Sequence, residues 1–161
     1  MARERSMAAG MTDYSGYPLE DIIRHLVEWR NSTRNAIASL KKLRKQAEDS
    51  SNLLENGHDV VAYCDHFIDM LDRYAGDFQR LVDELPNGVR PKHLEIVNQL
   101  YESSRDQEKA CVQFKNDWIN KSLRHEEARP LLDSIYRDSR TQMVDYQDLS
   151  NVIHRLKTFV G

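Results

Sequence analysis

Apolar residues recur along this chain at alternating steps of three and four, and they do so in four long stretches. The first runs Leu19, Ile22, Leu26, Trp29, Thr33, Ala36, Leu40, Leu43, Ala47. The second runs Val60, Cys64, Phe67, Leu71, Tyr74, Phe78, Leu81, Leu85. The third runs Val97, Leu100, Ser104, Gln107, Cys111, Phe114, Trp118, and the fourth Leu131, Ile135, Ser139, Gln142, Tyr146, Leu149, Ile153, Leu156, Val160. A strand would alternate every second residue. A mean step near 3.5, sustained this long, is the seam of helices packed on one another.

Turn chemistry punctuates the pattern. Pro18 suits the first turn of a helix, Asn56-Gly57 a helix stop, and Pro86-Asn87-Gly88 with Pro91 a second break. A third, vaguer break lies between Ser122 and Pro130. Helices are therefore expected over about residues 18–54, 59–85, 91–123 and 128–160, with residues 1–17 as a flexible N-terminal arm. Six Gly and four Pro in 161 residues, with 30% charged, fit long helices with one wet face. Short connections favour antiparallel neighbours. The expected fold is all-α, an up-down-up-down antiparallel four-helix bundle with coiled-coil-like packing. The alternative is an open hairpin that completes its core as a homodimer, because an intermolecular seam reads the same way.

Each seam is interrupted by polar residues near its middle. The stretch Trp29-Arg30-Asn31-Ser32-Thr33-Arg34-Asn35 keeps the phase from Trp29 through Thr33 to Ala36, so a continuous helix is expected and not a turn. Tyr74 stands at the middle of the second stretch, Ser104 and Gln107 in the third, and Ser139 and Gln142 in the fourth. In an antiparallel bundle these six would form a polar layer. Such a layer can fix register, satisfy backbone groups, or hold a small ligand between helices.

Net charge is −3, from 23 basic and 26 acidic residues that are interspersed. A nucleic-acid binder would show a basic excess or stripe, so none is expected as partner. No apolar run approaches a membrane span, and no secretory h-region is visible, which points to a cytoplasmic protein. The one basic cluster is Lys41, Lys42, Arg44 and Lys45. Asp65, Asp69 and Asp72 would face it from the second helix, and cross-helix pairing accounts for it more simply than a membrane or phosphate surface.

Catalytic signals are missing. There is no Gly-rich phosphate loop, nucleophile elbow or H-E-x-x-H, and the carboxylates lie on wet helix faces. The six histidines lack the i, i+3 or i, i+4 spacing of paired ligands, so they are expected to be solvated, with no metal or cofactor. Cys64 and Cys111 lie on seams and are expected to be buried, reduced thiols.

These features fit a non-enzymatic protein-interaction module, an adaptor or regulatory domain whose grooves accept a partner, for example an amphipathic helix. Ile23, Ile37, Val61, Ile68, Ile96, Ile119 and Val152 flank the seams and are the candidate groove; a wider core stripe would explain them equally. Tyr14 and Tyr17, flanked by acidic residues, are candidate phosphorylation sites on the arm. From another class, the alternative is a sensor or carrier that binds a small ligand at the polar layer. Peripheral membrane association through the first helix is a further alternative.

Overall fold

The computed structural model describes residues 13–49, 57–119, 128–140 and 146–160. Among these the chain is all-helical and has no strands. The helices are α1 (Leu19–Asp49), α2 (Gly57–Glu84), α3 (Pro91–Phe114), α4 (Arg129–Arg140) and α5 (Tyr146–Lys157). A 3₁₀ turn, Leu85–Asn87, comes after α2, and a π-helical turn, Lys115–Ile119, continues α3.

α1 runs unbroken through the polar stretch at Trp29–Asn35, as the retained phase requires. It opens after Pro18, whose carbonyl accepts from Asp21 N at 3.0 Å and Ile22 N at 3.3 Å. Glu20 and Asp21 in the first turn complement the positive end of the helix. Ile22, Leu26, Thr33, Ala36, Leu40 and Ala47 are buried along one stripe, which is the seam read from the sequence.

The turn from α2 to α3 is closed by its own residues. Gly88 holds φ +122° and ψ 147°, a backbone that a side chain would strain, and its N–H donates to Leu85 O at 3.0 Å. Arg90 then caps α3. His93 N donates to Arg90 O at 2.9 Å, and Arg90 N donates back to Nδ1 of His93 at 3.0 Å. The second bond is one half of a capping box, with the imidazole of His93 in place of the usual carboxylate; the first goes to the Arg90 backbone carbonyl and not to its side chain. His93 is therefore buried, at 1% exposure, and not solvated as expected.

Two compact units make up the chain. One holds the start of the chain through Asn31, Tyr74–Arg105 and Val144–Gly161; the other holds Ser32–Arg73 and Asp106–Met143. The first has Leu26, Phe78, Leu81, Leu100, Leu149 and Leu156 in its core. The second has Leu40, Phe67, Leu71, Phe114, Leu132 and Ile135.

Over the fourth expected helix, 128–160, the described residues form α4 and α5, and 141–145 between them lie outside the described residues. The chain departs from the expected bundle in two places. The third helix changes to a π turn at Lys115, and the ends expected near 54 and 123 lie outside the described residues. Lastly, residues 13–17 belong to the folded body. Tyr14, expected on a flexible arm, is 1% exposed at the centre of an aromatic cluster. Its ring meets those of Tyr17 (4.8 Å), His25 (5.4 Å) and Trp29 (6.5 Å) edge-on, and its hydroxyl bonds Nδ1 of His25 at 3.2 Å. This burial holds the backbone of Tyr14 at φ +30°, a region that bulky residues avoid. Arg155 of α5 adds a bond from Nε to Tyr17 O at 2.9 Å. Residues 1–12 of the expected arm lie outside the described residues.

Candidate functional site

The expected partner groove is mostly core. Ile37, Ile68, Ile96 and Val152 are buried, Ile23 and Val61 are half-buried, and the side chain of Ile119 lies outside the described residues. These positions adjoin the seam, so they widen the apolar stripe of each helix toward the core. Among the described residues Val112, 46% exposed, is the one large apolar side chain on the surface. A broad greasy docking stripe is therefore not what this surface offers.

The polar layer divides between the two units. Tyr74 and Ser104 belong to the first, and Thr33, Gln107 and Ser139 to the second; all five are buried, and Gln142 lies outside the described residues. In the second unit Gln107 and Ser139 meet at the last described turn of α4, of which Ser139 is the penultimate residue. Gln107 Nε2 donates to Ser139 O at 2.7 Å. Ser139 Oγ donates to Tyr136 O at 3.0 Å, and the Cys111 thiol sits 3.5 Å from that Oγ. Gln107 Oε1 is buried without a hydrogen-bond partner among the described residues.

Both cysteines are buried. Burial pushes the Cys64 thiol up to about 12, with the Asp65 charge adding and Arg44 opposing. It also raises Cys111, against the opposing hydrogen bond from Ser139. Neither is set up as a thiolate nucleophile.

Of the basic cluster, Arg44 pairs across helices with Asp65, one of the three aspartates expected to face it, while its bond to Glu48 and that of Lys45 to Asp49 lie within α1. Arg44 Nε meets Asp65 Oδ1 at 2.5 Å and its NH1 meets Glu48 at 3.3 Å, while Lys45 lies 3.6 Å from Asp49. Asp65 first, by hydrogen bond and charge, raises the Arg44 pKa. Lys41 and Lys42 are exposed. Of the two candidate phosphorylation sites, Tyr14 is buried and Tyr17 half-buried.

Sequence reasoning missed a groove in the second unit. It has a volume of about 580 Å³ and is lined by Asp59, Ala62, Tyr63 and His66 of α2 and by Asp117 and Trp118 of the π turn. The α2 residues share a face because they recur at steps of three and four. Asp117 and Trp118 stand inside the π turn, where the backbone bonds i to i+5. The seam steps Cys111, Phe114, Trp118 put Trp118 on the core side. Phe114 is buried, whereas Trp118 is half-buried and lines the groove.

The groove is built on fixed side chains. The Tyr63 ring packs against Phe114 at 5.0 Å and Phe67 at 6.1 Å. Its hydroxyl donates to Asp117 Oδ2 at 3.1 Å, and Gln113 Nε2 donates to Asp117 Oδ1 at 2.9 Å and Oδ2 at 3.0 Å. The Tyr63 hydroxyl is held above its ordinary pKa by burial first, then by its hydrogen bond to Asp117 and by the charges of Asp117 and Asp59. Both carboxylates thus bear on one point.

Among the described residues no group of three or more His, Cys, Asp or Glu side chains is placed to hold a metal ion, and no helix is long and apolar enough to cross a membrane. The chain matches no protein-family model, and no curated protein or solved structure is significantly similar to it.

Proposed function

We propose that this chain is a non-enzymatic protein-interaction module of the cytoplasm, an adaptor or regulatory domain on an antiparallel four-helix scaffold. The observation that carries this reading is the groove at Tyr63, Asp117 and Trp118. It presents half-buried aromatic rings and a carboxylate fixed by two donors, the mixture of flat apolar surface and oriented polar groups that anchors a partner side chain. Of the polar layer in the second unit, Gln107 Nε2 is engaged by Ser139 O and Ser139 Oγ by Tyr136 O. That favours a structural use of the polar residues over a small-ligand site among them.

The test is affinity capture from the native cell with the tagged 161-residue chain, beside Trp118→Ala checked for helicity by circular dichroism. A discrete protein captured by the parent and lost with the folded variant is the expected result. Capture of nothing, or capture indifferent to Trp118→Ala, refutes the reading.

A further inference from the structure

We infer, building on that reading, that the groove takes an arginine side chain from a basic segment of the partner protein. The lining contains two carboxylates, Asp59 and Asp117, and neither lysine nor arginine. Lys115, the basic residue of the π turn itself, lies over the Tyr136 ring at 5.4 Å and is not part of the lining. The groove is therefore complementary to positive charge. Besides Ala62, its remaining lining residues, Tyr63, His66 and Trp118, all carry planar rings.

Carboxylates beside flat aromatic faces suit a guanidinium more than an ammonium. A guanidinium is planar and weakly hydrated, stacks on rings, and presents its N–H groups as a fork that matches a carboxylate. An ammonium is a compact, strongly hydrated point charge that gains less from stacking. Asp117 is already oriented by Tyr63 and Gln113, so its ordering is not charged to the binding step. A carboxylate has about four acceptor directions. Asp117 therefore keeps capacity for a further donor. The scarcity of exposed large apolar side chains, with Val112 standing alone among the described residues, argues against a purely apolar anchor.

The test uses the 161-residue chain, ¹⁵N-labelled at tryptophan, and four capped Gly/Ser peptides. These carry a pair of arginines, lysines, citrullines or glutamates at the same positions. Trp118→Phe assigns the two indole N–H signals. The arginine peptide is expected to shift the Trp118 signal and leave that of Trp29 in place. Citrulline, a neutral isostere, is expected to weaken binding by at least about tenfold, as loss of a charge-assisted contact does. Lysine should bind more weakly than arginine, and glutamate should not bind. Asp59 is exposed and Asp117 half-buried, so Asp59→Asn and Asp117→Asn should leave the fold intact and each weaken the arginine peptide several-fold.

Equal binding of citrulline or lysine overturns the inference, as does an unmoved Trp118 signal. The two proposals fail separately. A captured protein sensitive to Trp118→Ala but indifferent to both asparagine variants keeps the interaction module and removes the arginine. Arginine-peptide binding with no captured protein does the reverse.

Discussion

Across the turn between α2 and α3, Nε2 of His93 donates to Oε1 of Glu84 at 2.9 Å. The direction of this bond is set on the other side of the ring, where Nδ1 is occupied as acceptor of the Arg90 N–H. These two contacts fit the tautomer with its proton on Nε2. Replacing His93 with alanine removes a cap and leaves the Arg90 N–H without its acceptor. The expected loss is about 1–2 kcal/mol, read by urea denaturation near neutral pH.

The same contact predicts a pH dependence. His93 first, then Lys92 and Arg80, hold the Glu84 carboxyl at about 2, against an ordinary 4.5. A carboxylate whose folded pKa is depressed stabilises the fold fully above its unfolded value. That contribution is lost as pH falls from about 4.5 through about 2. Glu84→Gln should therefore flatten the stability profile in that window, with the gap between parent and variant closing toward the acid end. Urea midpoints taken across the window give the comparison, and parallel profiles would contradict it.

Gln107→Leu is expected to destabilise the chain by about 1–3 kcal/mol, because Ser139 O in the core loses its amide donor and keeps only the weak one, the Cys111 thiol at 3.7 Å. Loss of the unpaired Gln107 Oε1 works in the opposite direction, so a value at the lower end of that range is anticipated. An unchanged denaturant slope would assign the effect to the folded state.

Tyr14 and Tyr17 should differ sharply as kinase substrates. Tyr14 is enclosed by Tyr17, His25 and Trp29, whereas Tyr17 is half-exposed. A non-selective tyrosine kinase should modify Tyr17 well before Tyr14 on the folded chain, with the difference vanishing in denaturant. Tyr14→Phe, which keeps the ring and loses the bond to His25, should cost about 0.5–1.5 kcal/mol.

Thiol chemistry gives an independent check on the second unit. Cys64 and Cys111 are both buried and both raised in pKa. Ellman's reagent at mildly alkaline pH should label them at the rate of unfolding and not at that of a free thiol. Rapid labelling of either would mean that its packing is wrong.

Periodicity sets the limit of what was legible in the sequence. A seam is a sum over many residues, so the helical class and the unbroken course of α1 through Thr33 survive any single exception. Local devices leave no such sum. His93 reads as one polar residue near a proline, and nothing in its neighbours announces that it caps α3. The Ile residues beside the seam cannot be divided into core and surface by spacing, because burial depends on how wide a stripe the neighbouring helices cover. Tyr14 lies ahead of the first periodic residue, and its burial depends on contacts with α1 that no short-range pattern encodes. Counting steps with a single pitch assigns Trp118 to the seam, and the pitch changes at Lys115.

That change of pitch has a genetic corollary. The groove takes Asp117 and Trp118 from the segment Lys115–Ile119, which abandons the ordinary α pitch. A one-codon insertion or deletion in that segment would turn these two side chains relative to the face that Asp59, Tyr63 and His66 share on α2. On the proposed reading, descendants that differ by that one residue would keep different company.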